Sequence, residues 1–374
     1  MKITRIEVFH IQRQLQASMR ISRGGFQVRE HALLRITCED GTTGLGEGVG
    51  HARRIAAILR EGMAQKALGK DVDRIEELKR LLIDGEVYFE RCGSAICAAS
   101  AIEMACWDAL GKMHGVPASS LLGSRVQDQF ETYASDIYWE EDPQRLERRA
   151  CELVERGFRC VKAHLGCLPP REETTRVEAL RRAVGNDVGL MIDLNAGYSR
   201  QQASEALAEW EQFRLLWLEE PLHPNDRVGL AILRERSQTL LAAGENWFTS
   251  EDFSEPVALG ALDYYMPDAA RVGGLSEMKR IACMVESAGG IISPHNFSSG
   301  ILLAATIQIM STIPNAKWLE MDGSDNTVYQ ELLEEPLWPK DGLVRVPEYP
   351  GYGVRLPESI ISRDSTERSF TVTL

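Results

Sequence analysis

The chain has 374 residues, enough for two domains or for one barrel with an accessory domain. Its 44% apolar and 26% charged content is that of a globular protein in water. A formal charge of −13 argues against a nucleic-acid backbone as partner, because proteins that bind one carry basic patches. No apolar run approaches the roughly 18–20 residues of a membrane span, and MKITRIEVFH lacks the apolar core of a signal peptide. A cytoplasmic location without membrane contact is therefore expected. The cysteines at 38, 92, 97, 106, 151, 160, 167 and 283 show no CxxC pair and no zinc spacing, and are expected to be reduced core thiols.

The first 50 or so residues alternate like antiparallel strands, and Asp40-Gly41 between ALLRITCE and TTGLGEG predicts a hairpin. Helices are predicted over 71–90 and 95–114. The second is apolar nearly all round and closes on Gly115, so it should be buried. Near residue 125 the pattern changes. Eight short strand-like runs follow: FETYAS, RCVKAHL, GLMIDLN, LLWLEE, LLAAGE, LDYYMPD, GGIISPH and KWLEM. Amphipathic helices separate them. Asp142-Pro143 should cap one with Leu146, Ala150, Leu153 and Val154 inward, ending at Gly157. Ser276 should open another with Met278, Ile281 and Val285 inward. Alternation of this kind implies right-handed crossovers and a parallel sheet, and eight units favour a closed α/β barrel over an open sheet. The GxGxxG turn of a dinucleotide fold is absent.

Within CVKAHLG, Lys162 and His164 share one face of the strand, with Val161 and Ala163 on the other. A lone pair of this kind is ordinarily a solvated sheet face. The other strand-like runs decide otherwise: they end in Asp193, Glu219, Glu245, Asp268, His295 and Glu320. From Lys162 the successive gaps are 31, 26, 26, 23, 27 and 25 residues, one strand–helix unit per step. Strand C-termini are where barrel enzymes build their sites. Asp193, Glu219 and Glu245 on consecutive strands would repel unless a hard divalent cation joined them, and an oxygen-only set favours Mg²⁺ over Zn²⁺. Asp268 could orient His295 as a base, while Lys162 and His164 lie to the other side. A metal between two bases suits removal of a proton next to a carboxylate, and a protonated Glu320 would donate a hydrogen bond to the enediolate.

These residues and their surroundings resemble the enolase superfamily, specifically its mandelate racemase subgroup. The resemblance runs through AIEMACWDALGK, GVP and LLG early in the chain. It continues through GFRCVKAH, MIDLNAGY, WLEEP, AGENW, MPDAARVGG, SPHNF and KWLEMD. It implies a modified (β/α)7β barrel under an α+β capping domain, with capping residues 1–125, barrel 126–335 and a tail 336–374 returning to the cap. It also implies Mg²⁺ on Asp193, Glu219 and Glu245, a His295–Asp268 base dyad, and Glu320 as electrophile. Asp268 takes the position where the muconate-lactonizing subgroup has lysine. Many relatives carry Lys-x-Lys on the second strand, whereas here it is Lys162-Ala163-His164. The histidine resembles that of acid-sugar dehydratases, where it is the general acid to a leaving β-hydroxyl, and Lys162 would hold the substrate carboxylate.

Asn195 and, in the capping loops, Arg20, Arg23 and His51 are the substrate-binding candidates. The polarity of the segment SMRISRGGFQ suits a hydroxylated or second-carboxylate substrate better than an aromatic one. The expected activity is that of a Mg²⁺-dependent lyase, an acid-sugar dehydratase. A racemase or epimerase of a carboxylate is the alternative, and a non-catalytic binding barrel is disfavoured by the intact residue set. A small-molecule carboxylate substrate and a homo-oligomer are expected.

Overall fold

The computed structural model describes residues 1–83, 90–324 and 326–374. Strand β1 (Ile3–Ile21) pairs antiparallel with β2 (Gly24–Cys38), and β2 with β3 (Thr43–Gly48), with Asp40 and Gly41 at the second turn. Alternation sorts the two faces of this sheet. Val8, Ala32, Leu34 and Ile36 pack on the helices of the capping domain, while Phe9, Ile11, Leu33 and Leu45 join the core shared with the barrel. Helix Ser94–His114 lies directly on β3 and is buried on nearly every side, ending at Gly115. The glycines of TGLGEG permit that approach. A Cβ at Gly44 would stand 2.0 Å from Ala105 O, and one at Gly46 would stand 1.9 Å from Ala101 O. Of the helix predicted over 71–90, Ile75–Ile83 is helical, and residues 84–89 lie outside the described residues.

The parallel strands follow: β4 (Gln129–Ile137), β5 (Cys160–His164), β6 (Gly189–Asp193), β7 (Trp217–Glu219), β8 (Leu241–Ala243), β9 (Tyr264–Tyr265), β10 (Ile291–Ile292) and β11 (Trp318–Asp322). Their spatial order is β10-β9-β8-β7-β6-β5-β4-β11, and a bridge between Ile292 and Ala316 nearly closes the circle. A long helix follows each of β4 to β10, but only a four-residue helical turn, Thr327–Gln330, follows β11. The barrel is therefore (β/α)7β, with one helix fewer than a full set of eight units. β12 (Leu343–Arg345) pairs with β4. The tail then passes helix Ser94–His114, where Tyr352 donates to Met104 O at 2.7 Å, and ends as β13 (Phe370–Thr373) on β1.

Helix starts follow local chemistry. Asp142 accepts from Gln144 N at 3.0 Å ahead of Pro143, as its sequence position predicts. Helix Leu275–Ser287 is capped differently from the expectation for Ser276. Glu103 of the capping helix accepts from Leu275 N at 2.8 Å and from Ser276 N at 2.9 Å. A carboxylate at a helix N-terminus satisfies donors that the helix itself cannot. The thiol expectation also needs correction. Cys38, Cys97, Cys106 and Cys160 are buried, but Cys92, Cys151 and Cys283 are exposed. Among the described residues no helix is long and apolar enough to cross a membrane.

Candidate active site

Barrel register decides which side chains meet. On β5, Val161 and Ala163 pack outward against the helix layer, so Lys162 and His164 point into the barrel. Lys162 lies beside Met191, and His164, Asp193 and Glu219 are lateral neighbours on β5, β6 and β7. Glu245, Asp268 and His295 stand two or three residues beyond the ends of β8, β9 and β10, on the loops leading to the next helices. The sequence pattern puts them at strand ends; hydrogen-bonded pairing stops earlier because β9 and β10 hold only two residues each.

Lys162 is buried at the centre of the cluster. Its Nζ lies 2.6 Å from Glu219 Oε1, 2.9 Å from Glu320 Oε1 and 3.6 Å from Asp193 Oδ2. Burial opposes its charge, but Glu219 and Glu320 outweigh that cost and hold its pKa well above the ordinary lysine range. The same contacts keep Asp193 and Glu320 low against their own burial. Lys162 and then His295 thus favour the ionised form of Glu320 here, over the protonated donor expected from the sequence. Lys162 spends its charge on carboxylates of the protein itself.

The two imidazoles lie on different arcs of the mouth. His295 Nδ1 is 2.6 Å from Asp268 Oδ2 and its Nε2 is 3.1 Å from Glu245 Oε2. His164 Nδ1 is 2.9 Å from Asn195 Oδ1, while its Nε2 is buried with no hydrogen-bond partner. Asn195 Nδ2 donates to Asp193 Oδ2 at 3.0 Å, which sets the amide orientation. Asn195 and Ala196 adopt left-handed backbone, with φ of 44° and 57°. Strain of that kind in non-glycine residues gathers where a site needs a sharp turn.

Glu220 is a site residue that the sequence pattern does not single out. It is buried at φ 39° and accepts from Asn246 Nδ2 at 2.8 Å; Asn246 also donates to Glu245 and accepts from Arg271. Burial, then Glu245 and Asp193, push its pKa well above the carboxylate range. The doublet in WLEEP is the one signal that could reveal it. Among the described residues, no three acidic, His or Cys side chains already surround one point. Lys162 stands between Asp193, Glu219 and Glu320, and His295 and Asn246 hold Glu245. Even so, burial and mutual repulsion raise both Glu219 and Glu220, the mark of a carboxylate set short of positive charge. Asp193, Glu219 and Glu245 therefore fit a divalent cation, and oxygen donors alone suit a hard one.

The capping-loop candidates behave otherwise. The Arg20 guanidinium lies over the Trp139 ring at 4.1 Å, and Arg23 Nη2 donates to Ala196 O at 2.9 Å. Between them Ser22 Oγ donates to Leu194 O at 2.6 Å, so these residues fasten the hairpin onto the barrel. His51 is exposed at the start of helix Ala52–Ile58 and makes no side-chain cap bond. The wall beside His164 is aromatic: Tyr138 stacks on its ring at 5.0 Å, with Phe26 and Phe297 edge-on to Tyr138. The polarity of SMRISRGGFQ therefore does not report the character of this wall.

Charge makes one consequence measurable. Burial opposes protonation of His295, but Glu245, Glu320 and Asp268 raise its pKa from 6.5 to about 10 in the metal-free protein. Folding then takes up a proton near neutral pH. The resulting stability is fully present below pH 6.5 and is lost as pH rises through about 10. In EDTA the melting temperature of the wild type should fall over that interval more steeply than that of His295→Asn. Equal slopes would show that His295 is not held as a cation.

The family model described as enolase C-terminal domain-like matches residues 145–360. The model for the mandelate racemase/muconate lactonizing enzyme N-terminal domain matches residues 3–123. The chain is 31% identical to D-galactarolactone cycloisomerase of Agrobacterium fabrum, over 95% of this chain and 97% of that protein. It is 30% identical to D-galactonate dehydratase of Ralstonia pickettii, over 89% and 91%. Among solved structures it is similar to L-talarate dehydratase of Polaromonas sp. JS666 complexed with Mg and L-glucarate. The TM-score there is 0.86 at 26% identity, covering 100% of this chain and 99% of that one.

Proposed function

We propose, since this chain belongs to the mandelate racemase/muconate lactonizing enzyme family of the enolase superfamily, that it is a Mg²⁺-dependent lyase acting on an acid sugar. It removes the proton α to the carboxylate and expels an oxygen from the β-carbon. The observation that carries the reading is the pair of imidazoles flanking one carboxylate set, one locked to Asp268 and one with a free Nε2.

Asp193, Glu219 and Glu245 would hold Mg²⁺, which supplies the positive charge that a substrate carboxylate needs on becoming an enediolate. His295 is the base. Asp268 fixes its Nδ1 proton, so Nε2 takes the α-proton once Glu245 no longer occupies it. His164 presents Nε2 as the acid for the departing oxygen, with Asn195 and Asp193 orienting the ring at Nδ1. Lys162 would bind the substrate carboxylate once its Nζ is released from Glu219 and Glu320. Glu320, anchored by Asn296 N at 2.8 Å, lines the remaining side.

When the expelled oxygen is a hydroxyl the reaction is a dehydration; when it belongs to a ring, the ring opens without loss of water. The likeness to a D-galactonate dehydratase favours the first outcome, and the likeness to a galactarolactone cycloisomerase supports the second as a variant of the same chemistry. Racemisation or epimerisation uses the same two faces and is the competing activity. We place the enzyme in the cytoplasm as a homo-oligomer with a small carboxylate as its ligand. Acid sugars, their lactones and anhydro derivatives should be screened in D₂O for α-proton exchange and for 2-keto product. Exchange followed by keto product is expected for at least one of them. Interconversion of epimers without keto product would replace the lyase by an epimerase.

A further inference from the structure

A buried carboxylate that the reaction does not use ties the capping sheet to the base. Glu47, near the end of β3, is fully buried, and both of its oxygens are engaged. Oε1 accepts from Ser298 Oγ at 2.5 Å and lies 3.2 Å from His31 Nδ1. Oε2 accepts from Ser299 Oγ at 2.5 Å and from Ser299 N at 3.3 Å. Ser298 and Ser299 end the loop that carries His295, and Ser299 also caps helix Gly300–Met310 by accepting from Ile301 N at 3.1 Å. The other half of that loop is pinned by Glu320 through Asn296 N. Two residues past Glu47, Val49 N donates to Ala270 O at 3.3 Å, on the loop that carries Asp268. One strand end of the capping sheet therefore touches both loops of the dyad. Ser298, His31 and Glu47 are not a nucleophile triad: hydroxyl and carboxylate share Nδ1, and His31 Nε2 is buried without a partner.

We propose that Glu47 is a positioning residue for the His295–Asp268 dyad, fixing the His295 loop from the capping domain so that the imidazole meets the α-carbon in register. Its chemistry suits the task. A buried carboxylate whose oxygens take hydroxyl and backbone donors has little freedom, and removing it would leave the Ser299 N–H and hydroxyl proton without their acceptor and the Ser298 hydroxyl with His31 alone. The capping domain then helps to assemble the base as well as covering the barrel. This inference rests on the lyase reading above.

The test uses Mg²⁺-loaded enzyme and the acid sugar returned by the D₂O screen. Displacing a base by about 1 Å costs on the order of 100-fold in rate, so Glu47→Ala should lower kcat for α-proton exchange by about that factor while KM changes less than about threefold. Glu47→Gln should recover most of the loss. Its carbonyl can accept from Ser299 and its amide can donate to Ser298 and His31, so the geometry persists without the charge. In an Asp268→Asn background, Glu47→Ala should lower the rate by less than about threefold further, because both changes act through one imidazole. Unchanged kcat with a lowered melting temperature would overturn the proposal, as would losses that multiply in the double variant. A wild type that exchanges no α-proton from any acid sugar would instead overturn the lyase reading, and this inference with it.

Discussion

Chelation is expected to bring turnover to the buffer rate, and Mg²⁺ to restore it. The expectation follows from the charge at the barrel mouth. Asp193, Glu219, Glu220, Glu245 and Glu320 crowd a region whose central cation is Lys162, and the pKa of both Glu219 and Glu220 is forced upward. Without a metal, Lys162 must neutralise the protein's own carboxylates and His295 must bridge Asp268 and Glu245. Neither is then free for substrate. A divalent ion held by Asp193, Glu219 and Glu245 would relieve both constraints together. Outer-sphere partners of a metal commonly contribute 10- to 100-fold in affinity, so Asp193→Asn or Glu219→Gln should weaken Mg²⁺ binding by at least about 100-fold in a calorimetric titration. Full activity in metal-free buffer would end this account of the site.

Periodicity makes the barrel legible in the sequence. Residues that ionise recur at one strand–helix spacing, and such spacing survives sequence noise because each unit has to cross the same barrel wall. The registers that align His164, Asp193 and Glu219 are a direct result of that regularity. Legibility ends where side chains choose among partners. Arg20 and Arg23 read as substrate cations, yet a guanidinium stacks on an indole or bonds a carbonyl equally well, and only the fold shows that Trp139 and Ala196 are within reach. Glu220 is hidden beside Glu219, because two adjacent carboxylates at a strand end look like one site until the backbone turns left-handed at the second of them. The aromatic wall of Tyr138, Phe26 and Phe297 draws on three segments far apart in sequence, and no periodic signal connects them.

His164→Asn should separate proton removal from elimination. With His295 as base, the α-proton leaves before the β-oxygen departs, so this variant should still exchange the α-proton with deuterium while forming little product. General acid catalysis contributes about 10²- to 10⁴-fold, which sets the expected loss of product formation. The geometry supports the division of labour. His164 Nδ1 is occupied by Asn195, with Asp193 Oδ2 at 3.4 Å behind it, leaving Nε2 as the ring nitrogen that can reach substrate. His295→Asn should lower exchange and product together, with a loss of similar size, because His295 is the base that Asp268 holds among the described residues. In an epimerase the two imidazoles would meet one carbon from opposite faces. Each single variant would then exchange only the stereoisomer that its surviving base can reach. A proton NMR time course in D₂O, run with both variants and both epimers of an active acid sugar, distinguishes the cases. Exchange that depends on the stereoisomer, with no 2-keto product from the wild type, would exclude the lyase and establish the epimerase in its place.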